Sequence, residues 1–315
     1  MIQGKLDFPK VTIIIPVYNG QRFIGRCIEH LQELNYPKDR LEVIIVDDGS
    51  TDRTCNIIRS YNLPYIITIT TSNKGPSNAR NEGIKRASGS IIFFMDSDCL
   101  AHKDVILNHV LAHAYYAWKD PDVKMIGGSI TGINENLWAL CDDLCSWYRY
   151  SPVLSSKHVG FHPTANLSVK REVFDDVMFD NEMRHAEDFV FCVQACRKGH
   201  KIVFDPKPRM FHINRTSLKS YMRHAKYWSS GHEQLLEKGI IECAYKNTFL
   251  GMWPYFIISL GYMLAEVLSE NLKIKRFSVI LFFPLIFINR FYHIYYMIKH
   301  QWDYSMKKGK RQLEA

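Results

Sequence analysis

Short apolar runs alternate with helical stripes through the first hundred residues. Val11-Thr-Ile-Ile-Ile15 is β-branched and ends at Pro16, which predicts a strand with a stop. Between Arg22 and Leu34, residues Phe23, Cys27, Ile28, Leu31 and Leu34 recur at helical spacing. Leu41–Val46 reads as the second strand, and Thr51 or Asp52 as the cap of a helix reaching Ser60. Tyr65–Thr70 is a third strand. Asn73-Lys-Gly-Pro76 is a turn, Ala79–Ala87 a helix and Ile91–Met95 a fourth strand. Strands and helices alternating at this spacing build βαβ units on a parallel sheet, the first half of a doubly wound domain.

The middle is less regular. Helices are expected over Lys103–Trp118 and Asn134–Tyr150, with a strand over Met125–Ile130 broken by Gly127-Gly128. Gly160–Arg171 reads as a polar loop and short strand. Glu187-Asp188 opens a helix that buries Phe189, Cys192, Val193 and Cys196 and stops at Gly199. Lys201–Phe204 is another strand, and His212 and Arg215 precede a helix over Leu218–Gly231.

From Phe249 the pattern turns apolar. Phe249–Leu268 approaches the length of about 20 residues that a spanning helix needs. Phe277–Ile298 reaches it only if Asn289, Arg290 and His293 are tolerated. The linker between them carries Lys273, Lys275 and Arg276. The positive-inside rule disfavours placing that linker across the membrane from a basic tail at Lys307-Lys308 and Lys310-Arg311. The preferred reading is a hairpin or amphipathic pair dipping into the cytoplasmic leaflet; two spans or ordinary soluble helices are the alternatives.

Composition narrows the classes. The apolar fraction of 47% and the formal charge of +8 describe a packed, mildly basic protein without a nucleic-acid module. Met1–Lys10 has no apolar signal segment, so the catalytic part is expected on the cytoplasmic side of the membrane. The 8 cysteines include Cys141/Cys145 and Cys192/Cys196 at helical spacing, read as core residues over a zinc pair.

Two acidic clusters follow strand-like runs: Asp47-Asp48 after Glu42–Val46, and Asp96-Ser97-Asp98 after Ile91–Met95. Carboxyl ends of adjacent parallel strands face one crevice, where open α/β sheets bind ligands. Two aspartates one residue apart suit a hard divalent cation, which in turn suits a phosphate-bearing substrate.

Together, Val11–Asn19, Val46-Asp-Asp-Gly-Ser-Thr-Asp52, Asn73-Lys-Gly75, Ala79-Arg-Asn81 and Asp96-Ser-Asp98 resemble a family 2 glycosyltransferase of the GT-A fold over residues 11 to about 231. The resemblance implies a mixed, mostly parallel α/β sheet flanked by helices. Residues 1–231 would be the catalytic domain, with a nucleotide-binding half to about 100 and an acceptor half beyond it; 232–315 would be a helical, membrane-associated region. It also implies inverting transfer from a UDP- or GDP-sugar to a hydroxyl or phosphate of a glycan or lipid-linked acceptor. Asp96 and Asp98 would hold Mn²⁺ or Mg²⁺, joined by His212, with Ser97 beside the donor. Asp48 would contact the nucleoside, and Asp47 would orient it or cap the following turn. Pro16 and Tyr18 would line the base pocket. Lys74 and Arg80 would meet base or phosphates, although a solvated lysine is the plain reading of Lys74. Thr164 and Asn166 would border sugar and acceptor, and Arg215 would meet phosphate. Asp188 would be the general base, ionised by the helix dipole, with Glu187 orienting the acceptor; the plain alternative is a helix-capping pair.

Competing classes fare less well. A sugar nucleotidyltransferase would place a glycine-rich basic loop where Pro16-Val-Tyr-Asn-Gly20 stands, and a dinucleotide-binding oxidoreductase would need a G-x-G-x-x-G after a strand, which no strand has. A membrane-associated sugar-nucleotide-binding protein without turnover would not need Asp48, Asp96, Asp98 and Asp188 together.

Overall fold

The computed structural model describes residues 8–241 and 249–314. Most of the Met1–Lys10 stretch and the side chains of the basic tail after Ser305 lie outside the described residues. In chain order the elements are β1 (Val11–Val17), α1 (Ile24–Gln32), β2 (Leu41–Asp47), α2 (Thr54–Ser60), β3 (Ile66–Thr70), α3 (Pro76–Arg86), β4 (Ile91–Phe94), β5 (Cys99–Ala101), α4 (Val105–Lys119) and β6 (Val123–Ile133). There follow α5 (Leu137–Ser146), β7 (Lys157–Val159), β8 (Leu167–Lys170), α6 (Val173–Asp176), α7 (Glu187–Arg197), β9 (Lys201–Ile213), α8 (Leu218–Glu237), α9 (Phe249–Lys273), α10 (Ser278–Leu281) and α11 (Phe283–Glu314).

Two compact units interleave along the chain. The first comprises residues 1–131, 152–182 and 187–212. Its mixed sheet runs β3-β2-β1-β4-β8-β6-β9-β5, with β7 on β9. The four strands legible as βαβ units pair in parallel, with Val11 opposite both Leu41 and Ile91. Strand β8 then pairs antiparallel with β4, and the later strands continue from it. Parallel pairing brings the loops after β1, β2, β3 and β4 out at one edge of the sheet. Beneath that edge, Ile14, Val46, Phe94, Leu167 and Phe191 form one buried cluster. Each such side chain contributes about 1.5–3 kcal/mol by leaving water.

Two expectations about the middle change. Strand β6 runs unbroken through Gly127-Gly128. A Cβ on Gly127 would lie 2.1 Å from the His162 ring, and one on Gly128 2.3 Å from the Asn166 amide. These glycines admit neighbouring side chains; they do not stop the strand. Strand β9 continues to Ile213, through Pro206 and Pro208, so His212 lies inside a strand. Both prolines remain acceptors, their carbonyls taking hydrogen bonds from Ser129 Oγ at 2.8 and 3.3 Å.

The second unit comprises residues 132–151, 183–186 and 213–315. Helix α5 is capped by Asn136, and α8 by a Ser217–Ser220 capping box. Cys141, Leu144, Tyr148, Tyr221, Val267 and Ile286 form its core, as the reading of Cys141 and Cys145 as core residues expects. No helix among the described residues is long and apolar enough to cross a membrane. Polar residues within and between the apolar segments are used in packing. Asn271 donates to Leu144 O at 3.0 Å, Asn289 to Tyr221 O at 3.3 Å, and Arg290 to Cys145 O.

Candidate active site

The crevice is built from the loops at the carboxyl edge of the parallel strands, and its walls are tied together by side chains. Asn19, at φ 51° after β1, accepts from Thr51 N at 2.9 Å, while its own N–H donates to Ser50 Oγ at 2.8 Å. Asp52 accepts from Gln21 N at 3.2 Å and from Thr54 N at 2.9 Å, setting the first turn of α2. The buried Asp47 takes the capping role, accepting from Ser50 N at 3.0 Å. Asp48 holds the next loop: its oxygens accept from Thr71 Oγ1 at 2.6 Å, Lys74 N at 2.9 Å and Gly75 N at 2.7 Å. Gly75, at φ 97°, then delivers Pro76 as the first residue of α3. Asp48 is thus a shaping group whose carboxylate already serves three donors. Tyr18 is half exposed at the end of β1 and Lys74 is exposed, while Pro16 lies within β1 opposite Val46. Ser97 Oγ lies 3.5 Å from where a Cβ on Gly20 would stand, so the loops after β1 and β4 touch.

Arg80 departs from expectation most. It was expected to face base or phosphate, but it is 3% exposed. Nη1 donates to Glu187 Oε1 at 2.7 Å and Nη2 to Asp96 Oδ1 at 3.0 Å, with the guanidinium 5.6 Å from the Phe179 ring centre. One buried cation therefore ties the acidic cluster after β4 to the acidic pair that opens α7. Glu187 is correspondingly committed to Arg80. Asp188 Oδ1 accepts from Phe189 N at 2.8 Å. Desolvation and the neighbouring Glu187 push its carboxyl up to about 7, against the opposing pull of Arg80. The helix-dipole expectation of a fully ionised base gives way to a group that titrates near neutrality, because desolvation outweighs the dipole here. Asp96 is also raised, by desolvation first, with Arg80 opposing and Asp98 adding to the rise.

On the other side of the same loop, His212 Nε2 lies 3.5 Å from Asp98 Oδ2. Asp98, Cys99 and His212 bring one ligand atom each within 4.8 Å of one another, the one such group among the described residues. A carboxylate and an imidazole at this spacing, beside a second carboxylate that desolvation disfavours as an anion, suit a divalent cation. Cys99 was missed from the sequence. Its signal is the register, since it stands directly opposite His212 across β5 and β9.

Two expected site residues turn inward. Thr164 is 2% exposed and Asn166 fully buried. Asn166 Nδ2 donates to Ser129 O at 2.8 Å and Pro208 O at 3.1 Å, and its Oδ1 faces His109 Nε2 at 2.9 Å. Behind it, Ser168 Oγ links His109 Nδ1 at 2.9 Å to His113 Nε2 at 2.8 Å. With both amide N–H groups and its oxygen engaged inside the fold, the buried Asn166 supports the loop and not a ligand. Arg215 belongs to the second unit, where Nη1 donates to the buried Asp142 at 2.8 Å. Its charge is already met there.

Comparison with known proteins agrees on the architecture. The mannosyltransferase PcManGT from Pyrobaculum calidifontis, solved with GDP-Man and Mn²⁺, superposes with a TM-score of 0.61 at 20% identity, over 94% of this chain and 88% of that one. The TarS 1–349 structure from S. aureus with UDP-GlcNAc gives a TM-score of 0.51 at 19% identity, over 95% of this chain and 92% of that one. Among sequences, a dolichyl N-acetyl-α-D-glucosaminyl phosphate 3-β-D-2,3-diacetamido-2,3-dideoxy-β-D-glucuronosyltransferase from Methanococcus voltae is 24% identical over 279 residues, 84% of this chain and 83% of its own. The fold is the GT-A fold. The profile of "Glycosyl transferase family 2" matches residues 12–175, just over half of the chain, and the chain belongs to that family as a glycosyltransferase.

Proposed function

We propose that the chain transfers a sugar from a UDP- or GDP-sugar to a hydroxyl of a glycan or lipid-linked acceptor, with inversion at the anomeric carbon. The observation that carries this reading is the Arg80 bridge, which couples the Asp96-Ser97-Asp98 loop to the Glu187-Asp188 pair in one crevice. Asp188 removes the acceptor proton. The freed oxygen attacks the anomeric carbon, and the bond to the nucleoside diphosphate breaks with its electron pair on the leaving phosphate. Asp98, Asp96 and His212 are the residues that would hold a divalent cation. When bound, such an ion neutralises charge developing on the diphosphate. Tyr18 and Lys74 are the exposed candidates for the donor, on a floor shaped by Asp47 and Asp48. Relatives solved with GDP-Man and Mn²⁺ and with UDP-GlcNAc support a nucleotide-sugar donor. The Methanococcus relative, a dolichyl N-acetyl-α-D-glucosaminyl phosphate glucuronosyltransferase, favours a lipid-linked acceptor.

A thermal-shift series tests the donor. UDP or GDP with Mn²⁺ is expected to raise Tm by mass action, more than either component alone. Asp98→Asn is expected to abolish the added effect of Mn²⁺. No shift with any nucleoside diphosphate would sink the reading, and binding without release of sugar to any acceptor would favour a binding protein.

We also propose that the second unit rests on an anionic membrane surface. Ile258 and Tyr262 stand outward one turn apart on α9, at 69% and 70% exposure, with Leu281 of α10 at 75%. Such apolar exposure in a helical stretch that also carries Lys273 and Lys275 fits an interfacial helix pair. The protein is expected to float with vesicles containing anionic lipid, and Ile258→Asp with Leu281→Asp to release it. Equal flotation of the double variant would remove the proposal.

A further inference from the structure

The candidate cation site contains a thiol for which the proposed reaction has no use. Cys99 opens β5, and its antiparallel partner on β9 is His212. Directly opposed residues project to the same face of a sheet. The third member, Asp98, precedes Cys99 in the chain, and its Oδ2 lies 3.5 Å from His212 Nε2. The three ligand atoms fall within 4.8 Å of one another. Zinc takes sulfur at about 2.3 Å and nitrogen or oxygen at about 2.0–2.2 Å in a tetrahedron, so its ligand atoms stand within about 4 Å of each other. The trio as it stands lies within about 1 Å of that spacing.

We infer that Asp98, Cys99 and His212 form a mixed oxygen, sulfur and nitrogen site that captures a thiophilic divalent cation such as Zn²⁺, and that this capture inhibits the glycosyltransferase. The inference rests on the reading that Asp98 holds the donor's cation. The two classes of ion use the site differently. Mg²⁺ and Mn²⁺ prefer carboxylate, phosphate and water oxygens, so they leave the neutral thiol of Cys99 aside. A softer cation recruits the sulfur: the metal–sulfur bond forms, and the thiol proton passes to the buffer. Zn²⁺ also outranks Mn²⁺ for a given set of such ligands. Once held by three protein atoms in a tetrahedron, it keeps a single open position. An octahedral ion held by carboxylates keeps several positions for diphosphate oxygens, so the zinc-loaded site binds donor poorly.

Cobalt makes the sulfur visible. The full chain titrated with Co²⁺ in the absence of donor is expected to develop a thiolate-to-cobalt charge-transfer band in the near ultraviolet. Cys99→Ser is expected to lose that band, and Cys27→Ser to keep it. Cys99→Ala serves in place of the serine variant if a buried hydroxyl unfolds the sheet. In turnover assays with Mn²⁺, the Zn²⁺ concentration for half-inhibition is expected to rise about tenfold or more in the Cys99 variant, the scale on which weakened metal sites respond. A band that survives loss of Cys99 overturns the inference. So does cobalt binding that needs Asp98 but shows no charge-transfer band; that result leaves the donor-cation reading standing. Cobalt binding indifferent to Asp98→Asn overturns both.

Discussion

Asp188→Asn is expected to lower kcat for transfer to a hydroxyl acceptor by about 10²–10⁴-fold, the range in which a general base acts. The exchange is close to isosteric. An amide oxygen can still accept from Phe189 N, so this contact at the start of α7 is kept. What disappears is proton acceptance. The pH dependence separates this role from a capping role. The Asp188 carboxyl is raised from 3.8 to about 7, chiefly by desolvation and Glu187. A base works only when ionised, so kcat/KM should climb about tenfold per pH unit below 7 and level off above it. The residual activity of the asparagine variant should lack that limb. Stability should move the other way. A carboxyl whose folded pKa lies above its unfolded value favours the folded state at acid pH, and that contribution is lost as pH rises from about 4 through 7. Asparagine carries no such penalty, so at pH 8 the variant should melt no lower than the parent. A kcat within a few-fold of the parent on a hydroxyl acceptor would place the base elsewhere. The same result on a phosphate acceptor would mean that the nucleophile arrives already ionised.

The sequence makes some of this site plain and hides the rest, for physical reasons. The strands around Val11–Val17, Leu41–Asp47 and Ile91–Phe94 are β-branched or apolar runs with clear stops, and parallel pairing puts their loops together. Local pattern is enough there. Asp96, Asp98, Glu187 and Asp188 are legible for the same reason, since each pair follows a strand or opens a helix. Partners distant in sequence are not legible. Arg80 meets carboxylates 16 and 107 residues away, so its burial and its double ion pair are tertiary facts. Gly127 and Gly128 look like a break until His162 and Asn166 are packed against them. Pro206 and Pro208 conceal the length of β9, which hides the register that sets Cys99 beside His212. Asn166 and Arg215 carry the right chemistry, but their partners in the fold claim it.

Arg80→Met is expected to cost about 3–5 kcal/mol of stability at pH 8, the range for removing one partner of a buried ion pair. Methionine fills similar space beside Phe179, so lost packing is a small part of the change. Lost charge is the large part. The guanidinium is 3% exposed and meets Glu187 at 2.7 Å and Asp96 at 3.0 Å, with Asp188 and Asp98 close enough to feel the same cluster. Without it these carboxylates crowd one crevice in which His212 is the remaining cationic partner. They respond by taking up protons, so the deficit should shrink between pH 8 and pH 5.5 in urea denaturation. The direction follows from linkage: folded-state pKa values rise further above their unfolded values, and the stability they carry is lost as pH rises. A deficit independent of pH would assign the loss to packing. Arg80 also opposes the elevation of Asp188. Its removal should therefore move the midpoint of the pH–rate profile from about 7 toward higher pH, even in variant protein that remains folded. An unmoved midpoint would show that the bridge holds the two acidic clusters in place without tuning the base.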